Sequence, residues 1–437
     1  MSLLSKFGVS EFRPLQNEII QAALQNKDLF VLLPTGHGKS LTFQYPAFTF
    51  QSGCTFVISP LLALIHTQVK DLQKRGLMVA SLTSETPRSE YRKVLDQLAS
   101  GTPSHRLIYI TPELLCGESF KSVINGLVSK GQLNRVVIDE AHCSVEWSQF
   151  RPDYGQLGFI KKLYPNLPVT ALTGTASPAM RRQIIKILRL DGPNMRLFQL
   201  GVSRPNMHLY VVRDESQSQA IDHLCNQITE YRKRIKQTID AGYYPATPYP
   251  GCGIVYCRRR GTVEMIAQLL QDENIPAHPY HAQLSASQKR EVMTQWMEGN
   301  PKFAVIVATI AFGMGIDKPD TRFVVHFEMP NNIESFVQQC GRAGRDNRAC
   351  ACTLHFSPNE ISVIRGFAAQ SENDNVINSM EALVEYCENQ TCRHQMLAKF
   401  FDGVAGPSCG GICDVCNRIQ RGGGSSHQQQ RKRQRFW

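Results

Sequence analysis

The sequence predicts an α/β protein with two tandem parallel-sheet domains and a small helical subdomain that carries a metal site. Three observations carry this. Short β-rich runs alternate with helical patterns, the rhythm of βαβ units covered on both faces. That series occurs twice, on either side of a break near Ser203–Asn206. Four cysteines then cluster beyond a helical stretch, at spacings that suit one ion.

In the first series the expected strands are Leu29–Leu33, Thr55–Ser59, Leu107–Ile110, Val136–Ile138 and Val169–Leu172. Helices such as Leu62–Lys74 and Ser89–Ala99 lie between them. The second series has strands Met207–Val212, Gly253–Tyr256, Phe303–Ala308, Phe323–Phe327 and Cys352–His355, with helices including Val263–Leu270 and Ser287–Trp296. The polar, Pro-rich stretch Arg232–Pro250 reads as a loop or insertion. The domains are therefore expected at 1–205 and 206–358, the helical subdomain at 359–420 and a flexible basic tail at 421–437.

The chain has 437 residues, enough for two or three cores, and 42% hydrophobic residues, ordinary for a globular protein. No apolar run reaches 18 residues, which excludes a membrane helix, and MSLLSKFGVSEF has no secretory pattern. Most of the 14 cysteines read as reduced core thiols. A net charge of +11 points to a polyanionic partner, nucleic acid before membrane.

PTGHGKS, Pro34–Ser40, follows the first expected strand. Such a loop presents backbone N–H groups and a helix N-terminus to phosphate oxygens. Lys39 would reach the β- and γ-phosphates and Ser40 would ligate Mg²⁺. Leu33 stands where the full pattern has its first glycine, so alone the stretch could be a turn with a surface lysine. VVIDEAH, Val136–His142, ends a buried run in two carboxylates. Asp139 suits a Mg²⁺ contact and Glu140 suits polarising the attacking water. Alone this could be a charged helix start; at the end of another strand of the same sheet it completes a phosphate-hydrolysing site.

QQCGRAGRD, Gln338–Asp346, sets two arginines three apart. A planar guanidinium suits a transition-state phosphate. Arg342 and Arg345 are the candidate arginine fingers across an interdomain cleft; the alternative is a basic turn facing backbone or solvent. Cys392, Cys409, Cys413 and Cys416 give C-x16-C-x3-C-x2-C, a ligand set for structural Zn²⁺, with paired disulfides as the alternative.

Taken in order, these motifs resemble the RecQ family of DNA helicases, of helicase superfamily 2, from about Phe7 to Cys416. FGVSEFRPLQ is similar to the family's adenine-reading motif, with Arg13 and Gln16 as base contacts. PTGHGKS (Pro34, Thr35, Gly36, His37, Gly38, Lys39, Ser40) resembles its phosphate loop, and Gln338 joins the nucleotide set. SPLLALIHTQV resembles the family's first DNA-tracking motif and ALTGTAS the motif that links hydrolysis to domain movement, while YHAQL, ATIAFGMGIDKP and QQCGRAGRD resemble the second domain's set. The x3 gap between Cys409 and Cys413, and GCGIVYCR, resemble the fifth animal subfamily. The resemblance implies two RecA-like domains and a zinc module. It also implies ATP, Mg²⁺ and Zn²⁺ as cofactors and 3′-to-5′ unwinding of forked or partly single-stranded DNA. A nuclear monomer working with recombination, replication or repair proteins is the expected context.

Several positions depart from the family pattern. CSVEWSQFRPDY keeps Trp147, Phe150, Arg151 and Tyr154 of the DNA-coupling loop. Ser148–Gln149 replaces Gly-His-Asp, one residue shorter. Trp147 either stacks on a base or anchors the loop in the core. Weaker DNA stimulation of hydrolysis is expected. Val9 stands at an aromatic position, Gln339 at a glutamate and Gly174 at an alanine; the last two are expected to be tolerated. No winged-helix pattern follows the cysteines. The basic RKRQR end is a nuclear address, a phosphate-binding tail or a solvated charge run. The rivals to a helicase are a DNA-stimulated translocase or strand annealer that unwinds weakly, and a DNA-binding scaffold with an inactive motor.

Overall fold

A computed structural model describes residues 3–147, 151–242, 252–310, 312–313, 316–371 and 373–420. The chain divides into two compact units, one ending at Gly201 and the other starting at Val202. The break expected at 205/206 falls a few residues earlier. The Val202 amide donates to Asp402 at 3.2 Å, and the Arg204 and Asn206 side chains donate to the carbonyls of Ala343, Gly344 and Arg348. These bonds tie 202–206 to the second unit.

The first unit holds seven strands: β1 (Asp28–Leu32), β2 (Cys54–Ile58), β3 (Val79–Leu82), β4 (Leu107–Ile110), β5 (Leu133–Ile138), β6 (Val169–Thr173) and β7 (Met195–Gln199). They pair in parallel in the order β3-β4-β2-β5-β6-β1-β7. Helices cover both faces, so successive side chains enter different cores. Phe30, Phe56 and Val136 pack on one side; Leu29, Val31 and Val57 pack on the other. That is why these strands read as continuous apolar runs.

The second unit repeats the plan with β8 (Met207–Arg213), β9 (Gly253–Tyr256), β10 (Ala277–Tyr280), β11 (Val305–Ala308), β12 (Phe323–His326) and β13 (Cys350–Phe356). The parallel order is β10-β11-β9-β12-β13-β8. Four helices follow: Pro358–Ala369, Asp374–Glu388, Arg393–Asp402 and Asp414–Gln420. They share a core with the sheet: Leu383, Tyr386 and Cys413 cluster with Leu209 and Val324. The Leu209 amide donates to the Ile412 carbonyl at 3.1 Å. Among the described residues no helix is long and apolar enough to cross a membrane.

Three strands were not expected: β3, β7 and β10, each at the edge of its sheet. The stretch from Arg232 is not a loop at first. A helix runs Gln217–Asp240, because Tyr231 and Ile235 continue the buried face of Leu224 and Ile228. Arg234 also pairs with Glu230 one turn back, at 2.7 Å. Residues 243–250 of that expectation lie outside the described residues. The strand expected from Phe303 starts at Val305. The Asn300 side chain accepts from the Lys302 amide at 3.0 Å and fixes a 3-10 turn over Pro301–Phe303.

Candidate nucleotide site and metal centre

In the first unit β1 and β5 both flank β6, so their carboxyl ends lie on either side of its own. Ligands of open parallel sheets bind at such ends. The loop 34–40 leaves β1 and enters the helix Leu41–Thr49. Gly36 and Gly38 have φ of 81° and 78°, a region that L side chains avoid. A Cβ on Gly38 would also come 2.5 Å from Gln16 Nε2 and push that amide off the loop.

Gln16 and Arg13 brace this loop. Gln16 Nε2 donates to the carbonyls of His37 (3.1 Å) and Gly38 (3.0 Å), and its Oε1 accepts from the Arg13 amide at 2.8 Å. The Arg13 guanidinium donates to the Gly36 carbonyl. His37 Nε2 lies 3.3 Å from the Pro14 carbonyl. Burial holds its imidazole below the usual range, and Arg13 and Lys39 add to that. Pro34 and Thr35 are half-buried at the start of the loop. Lys39 Nζ donates to the Leu33 carbonyl at 3.2 Å. The Ser40 hydroxyl makes no cap bond to its own helix.

Asp139 and Glu140 follow β5. Asp139 is 5% exposed and its amide donates to the Ile58 carbonyl. Burial, then the charge of Glu140, pushes its carboxyl up to about 7 against the pull of Lys39 and His142. Glu140 has φ 49°, which turns the chain sharply after the strand. Its Oε2 lies 3.4 Å from His142 Nδ1, and that nitrogen lies 2.9 Å from Thr173 Oγ1. Thr173 donates in turn to the Thr175 carbonyl at 3.1 Å. This chain of contacts joins the acidic pair to the ALTGTAS loop at the end of β6. Sequence reasoning singled out that loop but not His142, Thr173 or Thr175. Their signal was the position of ALTGTAS at the end of a strand beside β5.

Trp147 is half-buried against the core and meets the Tyr154 ring edge-on at 6.3 Å. Tyr154 is fully buried. Arg151 donates to Glu113 (Nε at 2.8 Å) and to the Pro60 carbonyl (2.6 Å), with its guanidinium carbon 5.9 Å from the Trp147 ring. Phe150 and the Ser148–Gln149 change lie outside the described residues.

The second unit holds the remaining candidates. Gln338 is half-buried near the end of the helix Ile333–Cys340. Arg342 is 6% exposed and Arg345 Nη1 donates to Asp317 Oδ1 and the Ile316 carbonyl, both at 2.8 Å.

Cys392, Cys409, Cys413 and Cys416 converge, with all four sulfurs within 4.8 Å of one another and none in a disulfide. Tetrahedral thiolates about 2.3 Å from zinc sit about 3.8 Å apart, so this donor set fits the ion. Two flanking residues missed by sequence reasoning hold the set together. Arg393, beside Cys392, donates to both oxygens of Asp414, beside Cys413, at 2.9 and 2.8 Å. It also donates to the carbonyls of Tyr386 and Asn389.

Three family profiles match in succession: DEAD/DEAH box helicase over residues 13–183, helicase conserved C-terminal domain over 233–347, and RecQ zinc-binding over 358–417. The rat ATP-dependent DNA helicase Q5 is 37% identical over 431 residues, covering 95% of this chain and 43% of its own length. The ATP-dependent DNA helicase RecQ of Pasteurella multocida is 36% identical over 415 residues, covering 94% of this chain and 61% of its own. The chain thus spans roughly half the length of these curated relatives. Among solved structures, the DUF1998 helicase MrfA bound to DNA superposes with a TM-score of 0.64 at 18% identity. It covers 96% of this chain and 56% of its own, which speaks for the fold alone. Two RecA-like domains, a four-cysteine zinc-binding module and these relatives together place the chain in the RecQ helicase family.

Proposed function

We propose that this protein is an ATP-dependent DNA helicase that moves 3′ to 5′ along one strand of forked or partly single-stranded DNA. The observation that carries the reading is the convergence of Lys39, Asp139 and Glu140. They lie 100 residues apart in the chain but at the ends of strands that flank β6. Lys39 and the amides of Gly36–Ser40 bind the phosphates. Glu140 orients water, and His142 and Thr173 carry its position to the ALTGTAS loop. Arg342 and Arg345 offset charge on the transferring phosphoryl group. Ser40 and Asp139 are hard oxygen donors that fit Mg²⁺, which supplies charge neutralisation when bound. Arg13, Gln16 and Gln338 complete the nucleotide set, and Trp147, Phe150, Arg151 and Tyr154 couple it to DNA.

Similarity to the DNA helicases Q5 and RecQ and the net charge of +11 support DNA as the substrate. A nuclear role beside recombination, replication or repair proteins, as a monomer, follows the same family reading. A second reading, a translocase or annealer with weak unwinding, is supported by the shortened Trp147–Phe150 stretch. A strand-separation assay separates them. A labelled fork with a 3′ tail should open with ATP and stay closed with a 5′ tail only. No opening of either substrate, with ATP still consumed, would favour the second reading.

A further inference from the structure

We propose that Tyr256 is the positioning residue for Arg342, fixing that guanidinium for the phosphoryl group; the inference rests on the role given to Arg342 above. Tyr256 ends β9 and is 3% exposed. Its hydroxyl donates to the Phe312 carbonyl at 2.7 Å and stands in hydrogen-bond contact with the Arg342 side chain. A tyrosine oxygen has one proton to give. With that proton committed to Phe312, its lone pairs face the guanidinium, which donates. One oxygen therefore sets Arg342 against Phe312 and Gly313. The guanidinium lies beside that pair: a Cβ on Gly313 would come 3.5 Å from Arg342 Nη2.

The ring is clamped as firmly as the hydroxyl. It stacks on His326 at 5.5 Å and 24° between planes. His326 Nε2 lies 2.7 Å from Gln339 Oε1, and Gln339 sits three residues before Arg342. Tyr256 thus ties β9, the end of β12 and the helix Ile333–Cys340 at the point where the arginine leaves that helix. A buried tyrosine serving only as core would not need a hydroxyl aimed at a functional arginine. Nothing in the sequence joins Tyr256 to Arg342, 86 positions on.

The test uses the full chain with Tyr256→Phe, Arg342→Ala and the double variant, measuring steady-state ATP hydrolysis with saturating single-stranded DNA. Tyr256→Phe keeps the ring and its stack. Its kcat should fall about tenfold, with KM for ATP within twofold and an unchanged melting temperature. The double variant should hydrolyse no slower than Arg342→Ala. A full tenfold loss persisting on top of Arg342→Ala would mean that Tyr256 acts elsewhere, which overturns the proposal. So would wild-type kcat in Tyr256→Phe beside a dead Arg342→Ala. Wild-type turnover in Arg342→Ala itself would instead sink the role given to that arginine.

Discussion

Asp414→Asn removes one charge from the pair that locks the zinc-binding segments together. Arg393 and Asp414 side chains are 2% and 14% exposed, so water replaces little of what is lost. Asparagine keeps one acceptor of the same shape and leaves the Arg393 charge buried without a counter-charge. Breaking a buried pair from one side costs about 3–5 kcal/mol. The retained acceptor and the two carbonyls of Tyr386 and Asn389 put this case at the low end, about 3 kcal/mol. For a unit of this size that is roughly 6–12 °C of melting temperature. Thermal unfolding followed by circular dichroism, with zinc content measured alongside, reads both consequences. Arg393→Met with Asp414→Leu should recover part of the loss, because no charge is then stranded. A shift below about 2 °C in Asp414→Asn would mean the pair is solvated and the argument fails.

Cys413→Ser should lower bound zinc from one equivalent to a small fraction, since a hydroxyl is a poor fourth ligand in a thiolate set; unchanged metal content contradicts the four-ligand site. Gly174→Ala should be tolerated. Its backbone lies outside the left-handed region, and the new Cβ would meet Lys39 Nζ at 3.0 Å, the far end of a flexible side chain. Stability should rise by up to about 1 kcal/mol through the unfolded chain, with hydrolysis within about threefold; lost hydrolysis would show that Lys39 has no room to yield. Burial holds the His326 imidazole down at about 4, against 6.5 for the free group. The folded form thus resists protonation that the unfolded form accepts, so stability present above pH 6.5 is lost as pH falls toward about 4. Urea unfolding at pH 7 and pH 5 should show the drop, and His326→Gln should lessen it; an equal drop in the variant assigns the slope elsewhere.

The parts of this fold that sequence reasoning read well are those whose signal is local. Strands such as β1, β2 and β9 are buried on both faces and so print as unbroken apolar runs. The phosphate loop is legible because Gly36 and Gly38 must adopt positive φ. What escaped is what depends on neighbours. In β10 the sequence AHPY contains a proline, which reads as a turn but is tolerated on the edge of a sheet. β7 is an edge strand whose adjacent Arg196 and Leu197 are both exposed, so MRLFQ shows no clean pattern. The basic run after Tyr231 hid a helix whose buried face there is only one residue wide per turn. Pairs such as Arg393 with Asp414 and His142 with Thr173 meet only in the folded chain. Their spacing, 21 and 31 residues, carries no periodicity that would announce them.

The most direct test of the account is the ATP hydrolysis rate of the full chain at low salt, with and without single-stranded DNA, beside Lys39→Ala. Turnover should rise with DNA, by less than the family's usual degree because of the shortened stretch after Trp147, and should be absent in the Lys39 variant. A rate indifferent to DNA, or one that survives the loss of Lys39, would contradict it.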